Sequence, residues 1–149
     1  MRKIELKELQ KIELDMLIEL DKFCRKNGIN YFLGCGTLCG AAVIGSFFPW
    51  DDDIDVIMPR SDYEKFINSF NIDGLKVLTC KNEDYYYPYA KMVDTRTIAY
   101  ECKYNIKDYG VFMIPIINVA VPLQFIVVAL CNFFVGFTGT IFYLVLMIC

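Results

Sequence analysis

The sequence predicts an α/β or α+β domain built on a mixed sheet flanked by helices. One observation is a long N-terminal segment with helical spacing of apolar residues. Another is the alternation of helix-like and short strand-like segments that follows it. The third is the charge distribution, since every Lys, Arg, Asp and Glu lies at or before Asp108. Residues 1–118 are therefore predicted to form the domain, and residues 119–149 an apolar helical tail.

Three segments are predicted to be helices, at residues 4–27, 38–44 and 62–70. In the first, apolar residues recur every three or four positions, and Gly28 follows as a natural C-terminal stop. In the third, Ser61 and Glu64 have the spacing of a capping box at the helix start.

Strands are predicted at residues 29–33, 53–58, 75–80 and 110–117. Each is short and rich in apolar or β-branched residues. A further pair, residues 90–93 and 97–100, is predicted to form a hairpin around Asp94-Thr95-Arg96.

The uncharged tail is long enough to cross a bilayer of roughly 30 Å as a helix. It predicts a cytoplasmic, membrane-associated protein. The alternative is a buried core segment of a longer protein cut off at Cys149. The N-terminus is charged and lacks the apolar stretch of a signal peptide.

Composition excludes several classes of site. The formal net charge is −3, which gives no basic surface for nucleic acid. The chain has no His, so no His acts as a catalytic base. Its seven Cys form no C-x-x-C pair, which argues against a zinc site and favours free buried thiols.

Four carboxylates, those of Asp51, Asp52, Asp53 and Asp55, lie within five positions. In an extended chain the side chains alternate, so the first, third and fourth of these acids are expected on one face. Oxygen ligands of this kind suit Mg²⁺ or Mn²⁺, which complete their shells with water and substrate phosphate. The alternative is an exposed acidic turn or a helix-capping cluster.

A second feature is a glycine turn, Gly34-Cys35-Gly36-Thr37, between a predicted strand and a predicted helix. Glycines let the backbone approach phosphates, and a helix start offers free N–H donors. An ordinary structural turn is the alternative. Followed by a D-x-D strand, the turn predicts one element for phosphates and another for metals.

These motifs resemble those of the LicD family, which includes bacterial phosphocholine transferases and is related to fukutin and fukutin-related protein. The resemblance covers residues 12–111 and is most specific over residues 48–66, which read FPWDDDIDVIMPRSDYEKF. It implies a nucleotidyltransferase-like fold. It also implies transfer of a phosphorylated alcohol, such as phosphocholine, from a CDP-activated donor to a cell-surface glycan.

Carried over to this chain, the resemblance implies that Asp53 and Asp55 bind Mg²⁺ or Mn²⁺, with Asp51 as a third catalytic acid. It implies that the glycine turn, through Gly34, Gly36 and Thr37, contacts the donor phosphates. Lys91 is a further candidate for phosphate binding, with an ordinary surface lysine as the alternative.

The chain departs from the family pattern in three ways, one of which is that family members usually continue well beyond this length. The basic stretch that usually follows Gly40-Ala41 is here Val43-Ile44-Gly45. The acids that usually follow a Gly-Val-Phe sequence are replaced in Met113-Ile114-Pro115-Ile116-Ile117-Asn118. An alternative function is therefore a truncated or inactive relative that binds metal and nucleotide or assists a paralogue at the membrane.

Overall fold

A computed structural model of the chain describes residues 2–82, 85, 87, 89–101, 106–109 and 112–118. The predicted tail, 119–149, lies outside these residues, and so does the boundary predicted to precede it. Within the described ranges, no helix is both long enough and apolar enough to cross a membrane.

The described residues form an α+β arrangement. The helices are α1, Leu6–Asn27; α2, Cys35–Ile44; and α3, Arg60–Ser69. The strands are β1, Phe32–Leu33; β2, Ile54–Pro59; β3, Leu75–Leu78; β4, Lys91–Asp94; β5, Ile98–Glu101; β6, Ile106–Tyr109; and β7, Phe112–Asn118.

The larger sheet has the order β1-β2-β7-β4-β3, and β5 pairs with β6 in a separate two-stranded sheet. In the larger sheet β2 and β7 are parallel, with Ile54 opposite Met113. The other pairs, β1 with β2, β7 with β4 and β4 with β3, are antiparallel. The prediction of a mixed sheet flanked by helices is confirmed for this part of the chain.

Helix α1 forms because its apolar residues make one stripe along its length, and Met16, Leu20 and Cys24 of that stripe are buried. The helix ends at Gly28, whose φ of 61° is left-handed. There the amide of Ile29 donates to the carbonyl of Cys24 at 2.9 Å, which closes the last turn.

The main core lies on one face of the sheet, beneath α1 and α3. It joins buried residues of both helices to Ile54, Val56 and Met58 of β2, which alternate along that strand. Phe66 of α3 is fully buried and packs against the rings of Phe23 and Phe70. Burial of such a side chain stabilises the fold by roughly 1.5–3 kcal/mol.

Helix α2 lies on the other face of β2. A Cβ on Gly34, at its start, would come within 3.0 Å of the Ile57 side chain and 3.4 Å of the Asp55 Cβ. Both of those residues alternate with the core-facing residues of β2. The two faces of one short strand therefore serve different purposes, one for the core and one for the glycine turn.

Two local predictions are wrong. The segments predicted as a hairpin do form strands, but β4 pairs with β3 and β7, and β5 pairs with β6. Both edges of the buried β4 are thus occupied, and the turn after Asp94 leads the chain out of the sheet. Helix α3 begins at Arg60 after Pro59, with no side-chain cap, so Ser61 lies inside its first turn and makes no capping box.

The close packing of backbone atoms around Gly40 leads to a testable prediction. A Cβ there would lie 2.5 Å from the Ser46 carbonyl oxygen and 3.3 Å from the Phe48 nitrogen, both backbone atoms. Gly40→Ala is expected to destabilise the chain by about 1–3 kcal/mol, because the segment leading to the acids must move. Urea unfolding measures this, with the exposed change Ala42→Ser as control. A Gly40→Ala variant as stable as the control would contradict the packing described.

Candidate functional site

The acids lie on a short segment, Asp51–Asp55, which we call the acid loop. It begins in a turn in which the amide of Asp51 donates to the carbonyl of Phe48 at 3.0 Å. The side-chain nitrogen of Gln10, on α1, donates to the carbonyls of both residues, at 2.8 Å for Asp51 and 3.0 Å for Phe48. Helix α1 therefore holds the start of the acid loop in place.

Strand alternation sets the direction of the later acids. Ile54 and Val56 are fully buried in the core, whereas Asp53 and Asp55 are only partly buried. Asp52 is exposed. The prediction that Asp53 and Asp55 share one face of the strand agrees with this burial pattern.

Burial, with the charge of neighbouring acids, raises the pKa of Asp51, Asp53 and Asp55. Burial raises the pKa of Asp53 to about 6, and the charges of Asp55, Asp51 and Asp52 add to the effect. Burial also raises the pKa of Asp51, with a further contribution from Asp52. In each case water is partly excluded while negative charges crowd together. Crowded carboxylate oxygens of this kind are ligands that a hard divalent cation can use.

The glycine turn is fastened to the acid loop on both sides of Asp55. The amide of Gly34 donates to the Asp55 carbonyl at 2.8 Å. The Asp55 amide donates to the hydroxyl of Thr37 at 3.0 Å. The glycine turn is thus part of the site. The buried Thr37 hydroxyl, which is predicted to contact donor phosphate, also accepts this hydrogen bond from the backbone of Asp55.

Cys35, inside the same turn, was missed by the sequence analysis. Its φ is 40°, a left-handed value that is unusual for a residue other than glycine and mildly strained. Burial raises the pKa of the Asp55 carboxyl, and a hydrogen bond from the Cys35 side chain to that carboxylate acts in the opposite direction. The thiol therefore helps to orient Asp55.

Gly36 lies directly against Asp51. A Cβ on Gly36 would come within 3.2 Å of Asp51 Oδ2 and 3.4 Å of Oδ1. The missing side chain lets the carboxylate approach the first turn of α2, where backbone N–H groups favour negative charge. Within the described part of the chain, the buried Oδ2 atom has no hydrogen-bond partner.

The register of the strands places Lys91 of β4 and Asp55 of β2 on one line that runs across the sheet, perpendicular to the strands. Asp55 pairs with Ile114, and Met92 pairs with Met113. Continuing the second register by one residue places Lys91 level with Ile114, two strands or roughly 10 Å from Asp55. Lys91 is 1% exposed, and its Nζ lies 4.0 Å from the centre of the Tyr87 ring. It is therefore not an ordinary surface lysine.

Glu13, on α1, is a second residue that the sequence analysis missed. It is 0% exposed, and neither carboxylate oxygen has a hydrogen-bond partner among the described residues. Burial raises its pKa to about 8, with additional effects of Asp53, Asp52 and Asp51. The sequence contains one sign that Glu13 is unusual, because this acid lies on the apolar stripe of α1, between Leu9 and Met16.

Trp50 immediately precedes the acid loop and is 73% exposed. Its ring stacks on that of Phe48, with centres 5.2 Å apart and planes 6° apart. An open aromatic face next to carboxylates is suited to an organic cation.

The donor atoms at the acid loop fit a hard divalent cation. Among the described residues, no three acidic or Cys side chains come together as a complete metal site. Mg²⁺ does not need such a cage, since one or two carboxylates with water and substrate phosphate suffice. Asp53 and Asp55, partly buried and crowded by like charge, could hold one in that way.

The fold and site are those of an α+β domain with an acid-lined strand start beside a glycine turn. The chain matches the family model described as LicD/FKTN/FKRP, nucleotidyltransferase domain, over residues 28–118. This is more than half of its length, and the chain belongs to that family. No solved structure matches it significantly.

Two curated relatives are similar over shorter stretches. The lipopolysaccharide cholinephosphotransferase LicD of Haemophilus influenzae is 44% identical over 68 residues, covering 46% of this chain and 26% of that protein. Mannosyltransferase regulator 4 of Saccharomyces cerevisiae is 39% identical over 56 residues, covering 38% of this chain and 5% of that protein. The matches thus span only a small part of either relative.

The raised pKa values predict how stability depends on pH without metal. Because the folded chain holds protons on Glu13 and Asp53 more tightly than the unfolded chain, their stabilising contribution is full below about pH 4. It is lost as pH rises through about 6 for Asp53 and about 8 for Glu13. Urea unfolding in EDTA is expected to give a falling free energy of unfolding from pH 5 to pH 8.

Asp94 provides an internal contrast. Its hydrogen bond to Arg96 lowers its pKa, so its contribution is present above about pH 4 and is lost only in more acidic solution. A free energy of unfolding that is constant or rises between pH 5 and pH 8 would show that the acid loop and Glu13 do not carry these shifts.

Proposed function

We propose that this chain is a metal-dependent phosphotransferase that moves phosphocholine, or a similar phosphorylated alcohol, from a CDP-activated donor to a cell-surface glycan. The single observation that carries the proposal is the joining of the glycine turn to the acid loop at Asp55. Membership of the LicD family and the 44% identity to a cholinephosphotransferase support it.

In this proposal Asp53 and Asp55 hold Mg²⁺ or Mn²⁺. The cation, when bound, supplies positive charge that offsets the charge of the donor diphosphate. The chain's own residues position the groups. The hydrogen bonds of Gly34 and Thr37 fix the backbone of Asp55, and the Cys35 thiol restricts its carboxylate.

The reaction is an in-line substitution at phosphorus. A glycan hydroxyl oxygen forms a bond to the phosphorus that carries the alcohol, and the bond from that phosphorus to CMP breaks. The hydroxyl proton passes either to Asp51 or to an oxygen of the donor itself. With no His in the sequence, a carboxylate or the substrate must accept it.

Donor phosphates are proposed to lie between the first turn of α2 and Lys91. The N–H groups at the start of α2 favour anions. The Asp51 carboxylate already lies against Gly36 there, so the phosphates would share this helix start with it. Lys91, on the Asp55 side of the sheet, would offset phosphate charge from the other direction. Its contact with Tyr87 keeps the ammonium in one place.

The exposed face of Trp50 supports an organic cation such as choline as the carried alcohol. A quaternary ammonium group binds aromatic faces, and the nearby Asp51 and Asp52 add favourable charge. The acceptor is proposed to be a glycan because one relative is named for lipopolysaccharide. A membrane location is proposed from the apolar tail, and no role with nucleic acid is proposed.

A second candidate is a relative that binds metal and nucleotide without turnover. One observation favours this candidate. The family pattern has an acid at the position that Ile114 occupies in this chain. In the parallel pairing of β2 and β7, Ile114 is the partner of Asp55. An uncharged residue therefore occupies the position beside the proposed metal ligand.

The main test is turnover of CDP-choline by the full chain and by Asp53→Asn and Asp55→Asn. Each change is expected to lower kcat by roughly 100-fold or more, as does loss of one electrostatic contact to a transition state. Asp73→Asn, on an exposed residue, is the control and should keep wild-type kcat. Activity within about tenfold of wild type in both site variants would overturn the assignment.

Binding separates the two candidates. Calorimetric titration with CDP-choline, with and without Mg²⁺, is expected to give Mg²⁺-dependent binding that Asp53→Asn removes. Binding of this kind without turnover would favour the second candidate. A folded chain that binds no CDP-choline in either condition would contradict both.

Lys91→Met tests the proposed phosphate contact. Met retains the length of the side chain and its packing beside Tyr87 but removes the charge. The dissociation constant for CDP-choline is expected to rise by about tenfold or more, the effect of losing a charged hydrogen bond. Lys81→Met, at an exposed lysine, is the control. Equal dissociation constants for the two variants would remove Lys91 from the site.

A further inference from the structure

The acid loop begins in a part of the chain that has no helix or strand of its own. Residues 45–53 connect α2 to β2 and lie outside both elements. Connections of this kind are held less firmly than the elements that they join. Contacts with side chains of other elements are therefore needed to keep Asp51 and the acids after it in one arrangement.

Gln10 supplies two such contacts from α1. Its side-chain nitrogen donates to the carbonyl of Asp51 at 2.8 Å and to that of Phe48 at 3.0 Å. The amide of Asp51 also donates to the Phe48 carbonyl at 3.0 Å, so these three hydrogen bonds join both ends of the turn of residues 48–51. One side chain thus fastens this turn to the helix at the point where the acid loop starts.

A neutral amide is well suited to this contact. The side chain of Lys or Arg could also donate to carbonyls, but its charge would offset that of the nearby carboxylates and repel a cation. The amide of Gln10 donates two hydrogen bonds and adds no charge. Because a neutral hydrogen bond contributes only modestly to stability, its loss is expected to change the arrangement of the acids without unfolding the chain.

We propose that Gln10 is a positioning residue, which acts through the turn of residues 48–51 and strengthens cation binding at Asp53 and Asp55. The inference deepens the proposed function and rests on its metal site. Gln10 lies before the residues that the family model matches, 28–118. The site therefore includes helix α1 as well as the matched part of the chain.

Trp50 makes the state of the turn directly measurable, because it is the one Trp in the sequence. It lies within the turn, and its ring stacks on that of Phe48. The anisotropy of its fluorescence in EDTA therefore reports how firmly the turn is held, without any ligand. Gln10→Met keeps the length of the side chain but removes both hydrogen bonds, and it is expected to lower this anisotropy.

Cation affinity is measured on the same full-chain variants by electron paramagnetic resonance of free Mn²⁺. Gln10→Met is expected to raise the Mn²⁺ dissociation constant by about tenfold, as does loss of a contact that orients metal ligands. The control is Cys24→Ala, which removes a buried thiol on α1 about 20 Å along the helix from Gln10. It is expected to destabilise the chain while the anisotropy and the Mn²⁺ affinity stay unchanged.

A loss of both anisotropy and affinity in Gln10→Met, but not in Cys24→Ala, would support the proposal. A change in only one of the two quantities, a change in neither, or the same losses in Cys24→Ala would overturn it. Should circular dichroism show that Gln10→Met is unfolded, Gln10→Asn takes its place, because its shorter side chain cannot reach both carbonyls. A wild-type chain that binds no Mn²⁺ would overturn the proposed metal site and this inference together, whereas equal binding by wild type and Gln10→Met would overturn this inference alone.

Discussion

The structure depends on keeping several carboxylates close together at the start of one strand. Their mutual repulsion and partial burial both oppose this, as the raised pKa of Asp53 records. What holds them is the apolar side of the same strand. Ile54 and Val56 are fully buried beneath the helices, so the acids cannot separate without withdrawing these residues from the core. The energy of burial thus maintains a concentration of charge that the acids alone would disperse.

The acid loop is also held by contacts from elements on both sides of the sheet. From one side, Gln10 of α1 binds the carbonyl of Asp51. From the other, the glycine turn binds the backbone of Asp55 through Gly34 and Thr37. Gly40 keeps the segment before the loop close to α2. A site held in this way has its oxygens in place before any ligand arrives, which favours binding of ions and phosphates.

Local sequence patterns predicted most of the described elements, including the long α1 and the strand at the acids. They failed where the outcome depended on distant partners. The hairpin after residue 90 is the main example. Turn residues between two strand-like segments favour pairing of those segments, but β7, further along the chain, occupies the edge of β4 instead. Likewise the Ser61 and Glu64 spacing suits a cap, yet the helix starts earlier, at Arg60.

The sequence by itself determined the acids, their alternation along β2 and the glycine turn that precedes them, because these features depend on spacing within a few residues. Only the tertiary structure decided which other groups join them. Packing of α1 against the acid loop makes Glu13 part of the acidic region. Sheet register places Lys91 in the row of Asp55 and Ile114 directly beside that acid. Long-range packing and register set such neighbours, and the local pattern of a single chain does not encode them.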